Sequence, residues 1–301
     1  MAAPQSPIGS RRRLGAELRR LRGKVGLTLD EVAAAMDCST SKISRLETGK
    51  GIPKVPDVRE LMRIYGVTSD TERDMLLRLV RDGREQGWWE RYTDGVQPER
   101  FVMPAPDRYT ALETEATAVR AFELSWLHGL LQTPAYARLV LEALLVGHHE
   151  PGEIDRLVAL RTRRQEALVR RDPPLELSVV LDEGVLGRVV GDGGTAAEAL
   201  ENVLRLSELP NVTVQVLPFS AGLHRAHSGP FVVLEFAEDV GGDVVYIEGH
   251  SGDTYLENPS DVDLYKDVLT DVSARALDSD ASRALIRRYQ HEHAPLGKAR
   301  P

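Results

Sequence analysis

Residues 28 to 49, TLDEVAAAMDCSTSKISRLETG, constrain the fold most, because they specify two short helices and the break between them. Thr28 followed three residues later by Glu31 is a capping box, with Val32 and Met36 facing inward behind it. Asp37, Cys38 and Ser39 form the break, and Ser39 caps a second helix whose inward positions are Ile43 and Leu46. Gly49 suits the position just past its end. Another face carries Ser41, Ser44, Arg45 and Thr48, hydroxyls with one fork-shaped guanidinium. Such groups reach base edges and phosphates in a major groove, and arginine binds guanine bidentately. Many surface helices also look like this, so the helix alone leaves both readings open.

The flanking residues complete a run of five short helices. Arg11 to Lys24 places Leu14, Leu18, Leu21 and Val25 on one stripe, and Gly26 stops it. Pro53 and Pro56 begin a fourth helix through Leu61 and Tyr65, and a fifth runs from Ser69 to Arg84. Charge is divided unevenly along the chain. Residues 1 to 65 hold 13 Lys and Arg against 7 Asp and Glu, a net of +6, so with −8 overall the remainder carries −14. A basic head on an acidic body is a pattern of polyanion binding, and chance variation over a short window is the alternative.

At 301 residues the chain has room for two domains with real cores. A polar, basic start without an apolar run points away from a secretory signal. No stretch of about 18 apolar residues is present to span a bilayer. The single cysteine, Cys38, excludes an intramolecular disulfide and a multi-cysteine metal site, and a buried inert thiol is favoured there over a redox switch. A cytoplasmic location and no membrane partner follow as expectations.

Residues 86 to 108, QGWWERYTDGVQPERFVMPAPDR, have no clear period and read as a linker between a domain at 1–85 and another at 109–293. Trp88, Trp89, Tyr92 and Phe101 indicate that this linker packs, either as a core anchor or by docking the head or a second subunit. In the larger domain, helices are expected at 110–125, 134–146, 152–171, 196–208, 261–277 and 280–292. Strands are expected at LELSVVL, VTVQVLPF, GPFVVLEF and DVVYIEG. The short gap between the last two suits an antiparallel meander. The expected fold is an all-α five-helix domain followed by an α+β domain with a mainly antiparallel sheet, and residues 294–301 form a disordered tail.

The stretch GLTLDEVAAAMDCSTSKISRLETGKGIPKVPDVRELMRIYGV resembles the helix-turn-helix of the xenobiotic-response-element type, shared with phage repressors. Thr28 and Glu31, Ala33 at the helix contact, and the pattern Ile43, Leu46, Glu47 and Gly49 carry the resemblance over residues 10 to 66. It implies that Thr40, Ser41, Ser44 and Arg45 read bases. Lys42 and Lys50 lie nearer phosphates, and Thr28 and Arg22 join them on the phosphate side. It also implies an ion pair of Glu47 with Arg22. Leu29 stands where many relatives place a phosphate-binding glutamine. Arg11, Arg12 and Arg13 are candidates for phosphate or minor-groove contacts, or a solvated helix start.

GWWERY, YTALETEA, GLLQTPAYARLVLEAL, RTRRQEAL, VVLDEGVLGRVVG, VQVLPFSAGLH, GPFVVLEF and VVYIEG resemble the long C-terminal domain of WhiJ-like regulators of actinobacteria. His128 stands where relatives commonly have proline. The resemblance implies a sequence-specific regulator of double-stranded DNA, with a second domain whose chemistry is not established. It implies developmental or specialised-metabolism control and a small partner protein.

An enzyme reading rests on less. His224 and His227 have an H-x-x-H spacing, and Asp182, Glu183, Glu248 and His250 lie at strand ends, but zinc needs three or four convergent ligands. No H-E-x-x-H, Walker loop or G-x-S-x-G elbow is present, and GDGGT at 191–195 reads as a turn. The runner-up is therefore a metal-dependent hydrolase fused to a DNA-binding head. Arg161, Arg163 and Arg164 either grip an anionic effector or form a solvated face. The expected protein is a non-enzymatic regulator without cofactor. It acts as a homodimer on a near-palindromic operator, and its C-terminal domain senses a small molecule or a small regulatory protein.

Overall fold

A computed structural model describes residues 6–94, 107–144, 152–170, 173–249 and 252–294. The linker positions 95–106, including Phe101, the candidate ligand His250 and residues 295–301 of the expected tail lie outside the described residues.

Five helices form the head: α1 (Pro7–Val25), α2 (Leu29–Ala35), α3 (Thr40–Glu47), α4 (Val55–Ile64) and α5 (Asp70–Asp82). Leu14, Leu18, Val32, Ile43, Val58, Leu61, Leu76 and Val80 close its core. The capping box of Thr28 and Glu31 forms, and the Ser39 side chain accepts from the Lys42 amide. Each satisfies helix-start N–H groups that have no partner within the helix. Asp37, in the break, takes the left-handed conformation at φ 48°. Gly15 lets α1 sit against the end of α3, because a Cβ there would meet the Glu47 carbonyl oxygen at 2.6 Å.

Beyond the head come α6 (Glu90–Thr93) and α7 (Asp107–Glu115), then β1 (Ala118–Glu123), α8 (Pro134–Leu144) and α9 (Glu153–Gln165). They are followed by β2 (Glu176–Asp182), α10 (Glu183–Gly187), α11 (Gly193–Leu206) and β3 (Val212–Leu217). The chain ends with β4 (Phe231–Glu235), β5 (Val244–Ile247), β6 (Thr254–Leu256), α12 (Pro259–Arg275) and α13 (Ser279–His293).

The body differs from expectation in several places: β6 and α10 were not expected, and two further differences shape the sheet. The span 110–125 holds helix α7 and then strand β1, where one helix was expected. Consequently the sheet is mixed rather than mainly antiparallel, with order β3-β2-β1-β4-β5-β6. β1 pairs parallel with β2, and β2 parallel with β3; β4, β5 and β6 continue antiparallel from the other edge of β1. The physical reason is tertiary override: ALETEATAVRAFE is rich in helix formers, and the strand exists because two neighbours supply its ladder.

Alternating side chains divide the sheet faces. Val119, Ala121, Val179, Leu181, Val214, Val216 and Leu234 pack in one core with Leu112, Tyr136, Val140, Leu200, Val203 and Ile286 of the helices. Phe122, Val180, Val233 and Val245 face Val262, Leu269 and Val272 of α12. Trp89, buried with Ala111, Leu141, Ile154 and Leu157, anchors the segment after α5 to the body.

Candidate functional site

The face of α3 follows from how its two anchors are held. Ile43 and Leu46 are buried in the head core, which turns Ser41 and Arg45 outward, with Ser44 half-buried beside them. Thr40 is also half-buried, and its hydroxyl donates to Asp30 at 2.7 Å, tying α3 to α2. Arg22 and Glu47 make a bidentate pair at 2.7 and 2.8 Å, and Arg22 also donates to the Leu27 carbonyl at 2.9 Å. Glu47 holds the Arg22 guanidinium above its usual pKa through these hydrogen bonds. This geometry fixes the end of α1 against α3, and the side chains around it are pre-oriented.

The remaining sequence-derived positions separate into two groups. Lys42 pairs with Asp57 at 2.9 Å and Lys50 with Glu257 at 3.2 Å, while the Thr28 hydroxyl donates to Glu31 at 2.9 Å. These are surface contacts, worth little each and exchangeable for a stronger anion. The basic triplet is different. Arg12 is buried between head and body, donating to the carbonyls of Val240 and Gly242, with its guanidinium 4.3 Å from the Phe236 ring centroid. Arg13 pairs with Asp239 at 3.0 Å and Glu115 at 3.5 Å, and Arg11 donates to the Gly83 carbonyl at 2.5 Å. Arg12 thus holds the start of α1 to the body, with Arg13 pairing to it at the surface, while Arg11 ties that start to the end of α5 within the head.

Arg45, Thr48, Gly49 and Lys50 line one side of a 450 Å³ cleft, and Arg108, Leu112 and Glu257 of the body line the other. The body therefore stands beside the carboxyl end of α3.

A second site lies inside the body, at the carboxyl end of β1. Two adjoining cavities, of 110 and 190 Å³, share Glu123, Trp126, Val232, Tyr246 and Glu248. Arg161 and Arg164 also face the first, so the expectation of a solvated arginine run holds only for Arg163, which is exposed beside Glu166. Arg164 and Glu113 close a bidentate pair at 2.7 and 2.6 Å. Arg161 donates to the Gln132 amide oxygen at 2.6 Å; burial lowers its pKa to about 10, so the guanidinium stays charged. Burial pushes Glu123 well above the carboxylate range and Glu248 up to about 7, in both cases against the pull of Arg161. Asp253 is raised to about 6, again by burial. His128 is buried, accepts from the Leu130 amide through Nδ1 at 3.3 Å, and is depressed to about 4 by burial. Its φ of −54° is one that proline also adopts, so the turn has the shape proline would give.

Among the described residues, the strand-end acids and loop histidines of the hydrolase reading do not assemble. Asp182 caps α10 and Glu183 accepts from the Phe219 amide and the Tyr289 hydroxyl. His224 packs edge-on against Phe122, and His227 contacts the Arg225 carbonyl. Among the described residues no group of three or more His, Cys, Asp or Glu side chains is placed to hold a metal ion. Cys38 is half-buried beside the head core.

Buried Glu123 and the half-buried Arg161 and Arg164 were the functional candidates least visible in sequence. The spacing of Leu157, Leu160, Arg161, Arg164 and Leu168 places both arginines on the apolar stripe of the helix, and that signal marks them as half-buried.

Comparison with known families gives two matches. A helix-turn-helix domain matches residues 13–76, and a domain described as a domain of unknown function, DUF5753, matches residues 106–288. No curated protein and no solved structure matches the chain. Among the described residues no helix is long and apolar enough to cross a membrane.

Proposed function

For a chain that belongs to the family of the DUF5753 domain and carries a helix-turn-helix domain ahead of it, we propose sequence-specific regulation of transcription through duplex DNA. The observation that carries this reading is α3, an outward-facing helix with Ser41, Ser44 and Arg45 on its free side and its other side locked by Ile43, Leu46 and the Arg22–Glu47 pair. In this reading Thr40, Ser41, Ser44 and Arg45 contact base edges. Lys42 and Lys50 exchange their surface carboxylates for phosphates, with Arg22 and Thr28 near the backbone. Arg12 stays with the body, because reaching DNA would break its contacts to Val240, Gly242 and Phe236.

One head buries modest surface, so specificity at cellular salt calls for two heads on a near-palindromic site with half-sites about 34 Å apart. The C-terminal domain supplies dimerisation and senses an effector, and the internal cavity favours a small molecule over a protein as that effector. The chain acts in the cytoplasm without catalysis, as a regulator of the WhiJ-like, actinobacterial type that its sequence resembles. Among the described residues, the arrangement of acids and histidines gives a hydrolase no support.

Genome-wide footprinting of the intact chain beside Arg45→Ala tests the reading. The parent enriches one near-palindromic sequence, and the variant loses roughly 1–3 kcal/mol of affinity and relaxes one position in each half-site. Equal loss on specific and scrambled DNA removes Arg45 from the base-reading set, and no enriched sequence for the parent removes the regulator.

A further inference from the structure

We infer that the cavity at the carboxyl end of β1 binds a small molecule made of a protonated amine on an aromatic or aliphatic body, with the amine between Glu123 and Glu248 and a neutral acceptor oxygen on Arg161. This inference deepens the effector-sensing part of the proposed function and rests on that reading only for its consequence at DNA.

The charge census of the cavity selects the ligand class. Glu123, Glu248 and Asp253 contribute three carboxyl groups, and Arg161 and Arg164 two guanidinium groups. Arg164 is already neutralised by its bidentate contact with Glu113, a residue only 3% exposed. Arg161 has no carboxylate within 4.0 Å among the described residues, although Glu123 and Glu248 both act on it electrostatically. One open cation therefore faces an excess of acid across a gap. An ammonium between Glu123 and Glu248 takes the place of the protons that burial keeps on them, whereas an anion offers neither carboxyl a donor.

Glu123 supplies the second, independent observation. It is 8% exposed, lines both lobes of the cavity, and makes no side-chain hydrogen bond among the described residues. A buried carboxylate without a donor is strongly disfavoured unless a proton or a cation joins it. The side chain that ends a core strand thus points into space that a charged donor can fill. Trp126 and Tyr246 present rings beside the two glutamates, and the face of an aromatic ring attracts a cation.

Size and position agree. Leu141, Leu157 and Leu160 wall one lobe, and Leu144 and Phe231 the other. A cavity of about 150 Å³ holds benzene, so the 190 Å³ lobe takes one aromatic ring. The site lies where sheet order reverses, since β1 has a parallel neighbour reached by crossover on one side and an antiparallel neighbour on the other. Ligands of open α/β sheets favour the carboxyl ends of strands at such a point.

Isothermal titration calorimetry on the full chain near neutral pH, without DNA, tests the inference with three probes that share one ring. L-Phenylalaninol offers an amine and a hydroxyl oxygen, 2-phenylethylamine the amine alone, and 3-phenylpropionate an anion. Both amines are expected to bind at least about tenfold more tightly than the anion, phenylalaninol being the tighter of the two. Glu123→Gln and Glu248→Gln each weaken the amines by about tenfold, and Arg161→Met abolishes the advantage of phenylalaninol over phenylethylamine. Both glutamine variants remove a carboxyl that could ionise against an ammonium, without changing shape, and circular dichroism of each reports whether the fold is kept. If either glutamine variant unfolds, the order of the three probes on the parent decides alone.

Three results overturn the inference: the anion binding as tightly as the amines, amine affinity unchanged in both folded glutamine variants, or no heat from either amine at ~10 mM. Footprinting separates this failure from that of the regulator reading. Lost amine binding with an enriched operator sinks the ligand assignment alone, and amine binding with no operator sinks the regulator alone.

Discussion

Two arginine–glutamate pairs of nearly identical geometry serve opposite ends in the two halves of the molecule. In the head, Arg22 and Glu47 meet at 2.7 and 2.8 Å, and around them the buried charge is closed. In the body, Arg164 and Glu113 meet at 2.7 and 2.6 Å, yet Arg161, one helical turn away, and Glu123 remain open to a cavity. The same device is used to finish a structure in one place and to leave an unbalanced charge in the other. The lesson is that a buried ion marks a ligand site by what is left unpaired near it. A buried pair on its own indicates only fixed geometry.

The largest effect is expected where the comparison treats charge as closed. Arg22→Ala leaves Glu47, which is 5% exposed, with only the distant Arg19 at 3.8 Å. Breaking one side of a buried pair costs about 3–5 kcal/mol, and because Arg22 is itself partly solvated the lower end applies. Urea unfolding of the intact chain should show the head melting first, with the loss confined to that transition. A loss below about 1 kcal/mol would mean that the pair behaves as a surface contact, and the contrast between the halves would collapse.

A smaller effect, of opposite sign, is expected at the open site. The Glu248 carboxyl has an ordinary pKa of 4.5 and is raised to about 7 in the folded chain. The folded state therefore binds more protons than the unfolded state between these values. Stability from this group is full below pH 4.5 and is lost as pH rises through 7. Glu248→Gln stays neutral, so it should match the parent near the acid end of that window and exceed it by about 2 kcal/mol above neutrality, after discounting for partial exposure. Glu123, Asp253 and Arg161 face Glu248 and are common to both proteins. His128, whose depressed pKa of about 4 makes stability fall as pH falls below its ordinary 6.5, cancels in the difference. Unfolding curves at acidic and basic pH check the sign. A variant less stable than its parent at every pH would show that the carboxylate has a partner, and that the site is closed like the head.

The two halves also differ in how far sequence reveals them, for reasons of locality. Thr28 with Glu31, Ser39 with the Lys42 amide, and Gly49 in the left-handed conformation act within a few residues, so the head is readable from spacing. Even the Arg22–Glu47 pair spans only 25 positions and follows from a family resemblance. Strand β1 gives no such signal. Its six residues become a strand through β2, more than fifty positions later, and β4, more than a hundred later. Arg161 and Arg164 look like a solvated run until Glu113 and the end of β1 are brought to them. The alkyl stems of those arginines continue the stripe of Leu157 and Leu160, a pattern visible in the sequence once burial rather than charge is weighed. Arg12 of the basic triplet is hidden for the same reason, being satisfied by carbonyls 228 and 230 positions away.

The smallest expected effect sharpens the idea that the head is closed and relaxed apart from one turn. Asp37 is the single non-glycine among the described residues with positive φ, at 48°, in the break that sets α3 against α2. An L side chain in that conformation costs about 1–2 kcal/mol, less for Asp than for most residues, and glycine removes the cost but adds disorder to the unfolded chain. These terms nearly offset, so Asp37→Gly should stabilise the chain by about 0.5 kcal/mol. DNA affinity should be unchanged, because the angle between α2 and α3 is held by Ala33, Ile43 and the Thr40 to Asp30 hydrogen bond at 2.7 Å. Urea unfolding and operator titration measured together separate strain from function here. A gain in stability with weaker operator binding would show that Asp37 holds α3 at its reading angle, and the turn, rather than the Arg22–Glu47 lock, would then be what orients the face.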